Sequence, residues 1–559
     1  MEGVMKCSAN YVPLTPISFL ERAAQVYGDR TSIVYGSIKF SWEQTRERCH
    51  KLASSLVSIG ISSGDVVAVI SGNTPWVYEL HYAVPMAGAV ICNITPHYGP
   101  DILCDLLCRS NAKLVFVDDR FLDLAKDALR LLSPLRTPTL ISISGASSDV
   151  PTSSAVEMDY ETFLGSGDAE FKVRWPADEF NPISVCFTSG TTDAPKGVLH
   201  NHRAAFLNTI ATIMLMEMAP GTIFLWTSPM YHCNGWGFVW GVAAQGGTNV
   251  ILRDEATAEA VFDAIEEHGV TMLSGATPVL AMLAADRRVL SRRVSVLTGG
   301  APPPPDVLMR MEEQGFRVTH SGGQTETYCC AVYCMRRPEW EELPRETRAR
   351  LQARQGLPHL LLAQVDIKDP VTMKSVPSDG VTVGEVVYRG NNVMSGYVDR
   401  GATEEAFRGG WFHSGDLAVR HPDGYIEFKD RLLDRVERGG HTVGTLEIES
   451  VIYGHPAVIA AGVVGVSGDS EGEVLCAFVE LKQGHEATTE DILEFFRQRL
   501  PDSKVPEMVV IGKIPITSTG KIQKAILREK GKEILASSSF KKEEKEMTRA
   551  CDPVKEEKI

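Results

Sequence analysis

The densest chemical signal in the sequence is Thr188-Ser189-Gly190-Thr191-Thr192-Asp193-Ala194-Pro195-Lys196-Gly197. It lies between the apolar run Ile183 to Phe187 and a stretch, Arg203 to Met218, with Phe206, Ile210 and Ile213 at helical spacing. Small residues let backbone N–H groups converge, hydroxyls donate hydrogen bonds, and Lys196 adds a positive charge. Together these suit a polyphosphate. The loop is not a Walker A motif, because Pro195 precedes the lysine and Gly197 follows it where Ser or Thr is required. A second lysine, Lys521, stands in Pro515-Ile516-Thr517-Ser518-Thr519-Gly520-Lys521-Ile522, where a solvated surface lysine is the ordinary alternative. His232, in Tyr231-His232-Cys233-Asn234-Gly235-Trp236, is either a packed histidine or a catalytic one. Trp236, Phe238 and Trp240 alternate as on a strand, for core packing or as the wall of a ligand pocket.

Two decoys drop out. Gly60-Ile61-Ser62-Ser63-Gly64 matches the nucleophile elbow of hydrolases, but that elbow needs a strand before it and a helix after. Here the pattern is reversed, so the segment reads as a helix-ending turn. His200 and His202 lack a third metal ligand. Cys329, Cys330 and Cys334 are followed by no His or Cys at metal-ligand spacing, so the 12 cysteines read as reduced packing residues.

The elements that must position these residues are legible in outline. Leu52, Leu56 and Ile59 mark a helix from Trp42. Then follow a strand at Val66–Ile70, a helix from Pro75 to Met86, and a strand at Ala89–Ile91. Such alternation predicts βαβ units and a largely parallel sheet. A polar segment at 142–155 reads as a surface loop. Strand and helix units continue through Thr248–Arg253, Thr257–His268, Thr271–Ser274 and Val294–Leu297. After about residue 430 the texture changes to a small α+β unit, with a helix from Leu446, strands at Ala457–Val466 and Val474–Leu481, and a helix from Thr489. The polar, mixed-charge stretch 537–559 reads as a disordered tail.

At 559 residues the chain is several times the ~150 of a typical domain. It is 44% hydrophobic, which excludes a wholly disordered protein. With 56 basic against 71 acidic residues, net −15, it has no charge surplus for a nucleic acid. An anionic ligand must therefore be held by local cations and backbone N–H groups. No apolar run reaches the ~18 residues of a membrane span. The last residues, Glu-Lys-Ile, are not of the peroxisomal S-K-L type. Cytosol is therefore the expected compartment, with the peroxisome as the alternative.

The loop at 188–197 is joined by Gly299-Gly300-Ala301-Pro302, Gln324-Thr325-Glu326-Thr327, Trp411-Phe412-His413-Ser414-Gly415-Asp416, Asp430-Arg431 and the Lys521 motif. In that order they resemble the AMP-forming adenylating enzymes, across roughly residues 12 to 535. Tyr231 to Trp236 and the following Trp240-Gly241-Val242 look like plant acyl-activating enzymes related to benzoate- and cinnamate-CoA ligases. The resemblance implies an α/β fold: a large multi-subdomain N-terminal adenylate-forming domain (1–429), a hinge (430–434), and a small mobile α+β C-terminal domain (435–536). It implies two half-reactions, in which a carboxylate attacks MgATP to give acyl-AMP and pyrophosphate, and CoA then displaces AMP.

Carried onto this chain, Thr188, Ser189, Gly190, Thr191, Thr192 and Lys196 would hold the β- and γ-phosphates, and Gly300, Ala301 and Pro302 would border adenine. Gln324 belongs to the nucleotide site, Thr325 would contact the α-phosphate, and Glu326 would hold Mg²⁺. Asp416 would take the ribose hydroxyls with Arg431 beside it, and Lys521 would bridge carboxylate and α-phosphate. His232, Trp236, Trp240 and Gly323 would form or gate the acyl pocket. The resemblance thus predicts an acid–thiol ligase acting on a small aromatic or short-to-medium-chain acid, with ATP, Mg²⁺ and CoA. The alternatives are an acceptor other than CoA, or a binding protein without turnover. Three positions depart from the family: Asp193 replaces a loop glycine, Gly322 replaces the aromatic residue that stacks on adenine, and Leu433 takes the hinge position.

Overall fold

The computed structural model describes residues 4–133, 137–144, 158–188, 195–253, 256–438, 441–467, 473–516 and 521–536. Most of the predicted phosphate loop (189–194), most of the turn before Lys521 (517–520) and the predicted tail lie outside them.

Two large sheets dominate. The seven-stranded sheet runs Gly396–Tyr397, Gly197–Asn201, Pro182–Phe187, Val90–Ile94, Val66–Ile70, Ala112–Asp118, Thr139–Ile143. The five strands from Pro182–Phe187 to the edge strand Thr139–Ile143 are parallel, and Gly197–Asn201 returns antiparallel to Pro182–Phe187. The nine-stranded sheet carries Ile223–Trp226, Met272–Ser274, Val294–Gly299 and Phe316–Gly322 in parallel at its centre. Helices pack between and over the sheets. One core cluster, which includes Trp42, Tyr78, Tyr82, Phe116, Trp226 and Trp240, joins both. Strands covered on both faces read as continuous apolar runs, as Val66–Ile70 does.

A four-stranded antiparallel sheet follows: Gln364–Lys368, Gly384–Arg389, Phe412–Arg420, Ile426–Arg431. The small C-terminal unit has its own sheet, Val458–Ser467, Glu473–Leu481 and Met508–Ile511, under the helices Thr445–Ile452 and Thr489–Arg497. No helix among the described residues is long and apolar enough to cross a membrane.

The structure corrects three sequence readings. An antiparallel strand, Gly197–Asn201, stands between the phosphate loop and the helix His202–Leu215, where a direct loop-to-helix passage was read. Ser142 and Ile143, assigned to a surface loop, end the buried strand Thr139–Ile143. Trp236, Phe238 and Trp240 are not on a strand: Phe238–Ala244 is a right-handed helix with nearly every face buried, so alternation carried no information about which side was covered. The Gly60–Gly64 turn does link the helix Trp42–Ser58 to the strand Val66–Ile70, with positive φ at both glycines.

Candidate active site

Backbone strain is concentrated at one place. From Cys233 to Gly237 five consecutive residues have positive φ: 41°, 43°, 56°, 55° and 81°. Cys233–Trp236 is therefore a left-handed turn. Tyr328 and Cys329, at 59° and 79°, lie across from it. Left-handed backbone costs a residue with a Cβ on the order of 1–2 kcal/mol, and such strain gathers at functional sites.

What holds the turn is visible. Asn234 Oδ1 accepts from Ser184 Oγ at 2.7 Å, Tyr328 Oη at 3.0 Å and Cys186 Sγ at 3.5 Å. Thr212 Oγ1 donates to the Trp236 carbonyl at 3.4 Å. Gly235 sits against the Trp226 ring, where a Cβ would come within 2.6 Å of Cζ3. His232 heads this turn and Trp236 ends it beside Gly299. Trp240 lies beneath, fully buried, edge-on to Tyr82 and donating to Tyr328 Oη at 3.3 Å.

The second wall is built from the C-terminal ends of parallel strands, the place where open α/β sheets bind ligands. Val294–Gly299 and Phe316–Gly322 run side by side, with Gly299 opposite Ser321. They deliver Gly300–Pro302 and the Gly323–Thr327 segment to one edge. Gly323 has no alternative there: a Cβ would lie 1.8 Å from the Cys329 carbonyl oxygen. Gln324 Nε2 donates to the Ser414 carbonyl at 2.8 Å and to Asp416 Oδ2 at 2.5 Å. Arg431 Nε stands 3.3 Å from Asp416 Oδ1. Burial raises the Asp416 carboxyl above its ordinary range, opposed by Arg431, Gln324 and Lys521.

Glu326 is buried, and its Oε1 accepts from Tyr397 Oη at 2.7 Å. Lys196 Nζ lies 5.7 Å from the centre of the Tyr397 ring. The ends of the phosphate loop are tied together: Thr188 N donates to the Lys196 carbonyl and Lys196 N to Thr188 Oγ1, both at 2.9 Å. Arg109 adds a bond to the Pro195 carbonyl at 2.7 Å.

Lys521, from the C-terminal unit, reaches this place. Its pKa is lowered by burial and by Arg431, with Asp416 acting the other way. The imidazole of His232 is held down to about 3 by burial and by the Lys521 charge, so it is neutral at physiological pH. Two lysines, a neutral histidine, two carboxylates and an arginine thus surround strand ends and a strained turn. That set can bind a polyanion, place an anion next to Lys521 and stabilise charge that builds between them.

Comparison with known proteins shows the family. Residues 20–398 match the AMP-binding enzyme family, and residues 447–521 match the AMP-binding enzyme C-terminal domain. The chain belongs to the AMP-binding enzymes. It is 47% identical over 543 residues to the probable acyl-activating enzyme 21 of Arabidopsis thaliana, covering 96% of this chain and 98% of the relative. It is 45% identical to the acetate–CoA ligase CCL3 of Humulus lupulus (96% and 97% covered) and 42% to the peroxisomal trans-cinnamate:CoA ligase of Petunia hybrida (95% and 96%). Among solved structures, ATP-bound MatB from Rhodopseudomonas palustris has the same fold, with a TM-score of 0.79 at 22% identity over 93% of this chain and 99% of that one. A benzoate CoA ligase from Burkholderia xenovorans LB400 gives 0.78 at 20% identity, over 92% and 99%.

In this AMP-binding enzyme the predicted site residues fall into one neighbourhood, apart from Ser189, Gly190, Thr191 and Thr192, which are outside the described residues. Sequence reasoning passed over several others. Asn234 holds the left-handed turn, and Tyr397 orients Glu326 from far along the chain. Gln355 packs against Gly322: a Cβ there would stand 2.8 Å from Gln355 Cγ and 3.0 Å from Val332 Cγ2. Gln355 is fully buried, with Oε1 accepting from Phe428 N at 2.7 Å. The Asn-Gly pair after His232 was the one local sign of the turn, since both residues tolerate positive φ.

Proposed function

We propose that this chain is an ATP-dependent, AMP-forming carboxylic acid–CoA ligase for a small aromatic or short-to-medium-chain acid. The observation that carries the reading is the approach of Lys521, from the C-terminal unit, to Asp416, Arg431 and His232 at the strand ends. Relatives named acetate–CoA, acetate/butyrate–CoA, 2-methylpropanoate–CoA and trans-cinnamate:CoA ligases support both the reaction and the small acid.

In the first half-reaction a carboxylate oxygen attacks the α-phosphorus of ATP, and the bond to the β-phosphate breaks to release pyrophosphate. Lys521 lies between the two anions, where its ammonium offsets charge as it builds on the α-phosphate. Asp416 accepts hydrogen bonds from the ribose hydroxyls, kept in place by Gln324 and Arg431. Gly300, Ala301 and Pro302 border adenine, Thr325 contacts the α-phosphate, and the 188–197 loop with Lys196 holds the outer phosphates. Glu326, a buried hard-oxygen donor fixed by Tyr397, would hold a magnesium ion. Magnesium, when bound, neutralises phosphate charge.

In the second half-reaction the CoA sulfur attacks the acyl carbon and AMP leaves. Lys521 must withdraw first, which explains its place on a separate C-terminal unit pivoting at 430–434. His232 and Trp236 close the acyl pocket, Gly323 lines it and Trp240 backs it. Cytosol is the proposed compartment. The peroxisome is its rival, since several relatives are named peroxisomal, and imaging of a fluorescent N-terminal fusion separates the two.

Acid-dependent exchange of labelled pyrophosphate into ATP tests the first half-reaction. Exchange with at least one small acid supports it, and no exchange with any acid refutes it. A second reading, nucleotide binding without turnover, is favoured by one observation, Gln355 packed against Gly322, where the family resemblance places an aromatic residue.

A further inference from the structure

His232, Cys233 and Cys329 meet in a way that no spacing in the sequence foretells. His232 and Cys233 open the left-handed turn, and Cys329 comes from the loop that follows Gln324. One ring nitrogen of His232 and the two Sγ atoms all lie within 4.8 Å of one another. A tetrahedral zinc ion binds nitrogen at about 2.0–2.1 Å and sulfur at about 2.3 Å, which places neighbouring ligand atoms roughly 3.5–4 Å apart. Side-chain rotations of about 1 Å assemble three such ligands.

We propose that His232, Cys233 and Cys329 form a three-ligand site for a soft divalent cation of the zinc class, and that filling it stops acid activation by engaging His232 in front of Lys521. Several independent features support the site. Both thiols sit on residues with left-handed backbone, strain that packing alone does not require of a cysteine. An imidazole nitrogen beside two thiol sulfurs is a ligand set of the zinc type. The Lys521 ammonium interacts with the same three side chains, so a dication bound there competes with it for the place. His232 and Cys329 are partly exposed, which gives an ion access, while Cys233 is buried.

The balance is simple. The cation binds neutral imidazole and two thiolates, two protons leave to solvent, and the complex of a dication with two thiolates is neutral. A thiol that burial holds protonated is deprotonated by the metal itself. The fourth position is left for water or an acid substrate, as in zinc sites with three protein ligands.

The binding half of the proposal is independent of the ligase reading; the inhibitory half rests on it. The test is titration of the full-length reduced protein with Co²⁺, followed by displacement with Zn²⁺. The expected result is one equivalent bound with a thiolate-to-cobalt charge-transfer band, roughly halved by Cys329→Ser and by Cys233→Ser and unchanged by Cys108→Ser at an exposed position. Circular dichroism confirms that each variant is folded. Cys329→Ser, at the partly exposed position, stands if Cys233→Ser is not. A missing band, or one that survives both substitutions, overturns the site. With an active acid, one equivalent of Zn²⁺ should cut pyrophosphate release at least tenfold, reversibly by chelator, and Cys329→Ser should be resistant. Full activity with the site filled overturns the inhibitory half, whereas a protein inactive on every acid but showing the band refutes only the ligase reading.

Discussion

Asn234→Ala removes the acceptor on which the strained turn depends. Asn234, Ser184 and Tyr328 are all fully buried, so no solvent replaces the lost oxygen. Two hydroxyl donors, Ser184 Oγ and Tyr328 Oη, lose their partner, along with the weaker Cys186 thiol. Each buried group left unsatisfied costs about 1–3 kcal/mol. Alanine tolerates left-handed backbone less well than asparagine, adding roughly 1 kcal/mol. Ser184 can turn elsewhere and Tyr328 keeps its bond from Trp240, so the sum is about 4 kcal/mol rather than the upper bound. For a domain of this size that lowers the calorimetric Tm by roughly 5 °C. Because the turn carries His232 and Trp236 and not the nucleotide contacts, KM for the acid should rise severalfold while KM for ATP changes little. Gly235→Ala attacks the same turn by a different route, setting a Cβ 2.6 Å from the Trp226 ring at a φ of 56°. Variants of both kinds with unchanged Tm and acid KM would refute the view that Asn234 and Gly235 maintain a functional turn.

Lys521→Ala should abolish acyl-AMP formation yet leave thioester formation from supplied acyl-AMP nearly intact; equal loss of both half-reactions contradicts a withdrawing lysine. Gly322→Tyr should not restore an adenine stack: its Cβ meets Gln355 and Val332, an overpacking cost of about 1–3 kcal/mol against about 0.5–1.5 kcal/mol from stacking. ATP KM should improve only when Gln355→Ala is added, and improvement in the single variant at unchanged Tm would show the space to be open. Burial holds His81, His202, His320 and His359 down to about 4 and His200 to about 3. Between those values and the unfolded value near 6.5 the unfolded chain binds more protons, so stability falls as pH drops, by up to about 1 kcal/mol per pH unit for each histidine. The urea midpoint should therefore decline steeply from pH 6.5 to 4.5, and a midpoint constant over that range would contradict neutral burial.

The parallel strands Val66–Ile70 and Pro182–Phe187 were legible as continuous apolar runs, and the helix Pro75–Met86 as a largely apolar stretch opened by Pro75. The small C-terminal unit announced itself by a change of texture after residue 430. The phosphate loop and Lys521 were legible as motifs, but their neighbours were not. Asn234, Tyr397 and Gln355 act across distances in sequence that no local pattern encodes. The left-handed turn escaped because Trp236, Phe238 and Trp240 satisfy a strand's alternation while the glycines at 235 and 237 permit a different backbone. Cys329 had no visible metal partner because its partners, His232 and Cys233, lie on another wall of the same site.

The most direct measurement is pyrophosphate release by the purified protein with MgATP, across benzoate, cinnamates and short-to-medium fatty acids, with and without CoA. An AMP-forming acid–CoA ligase gives sustained, CoA-dependent turnover on at least one of these acids, with the acyl-CoA accumulating in step. A single stoichiometric burst that CoA does not extend, or no release with any acid, contradicts it.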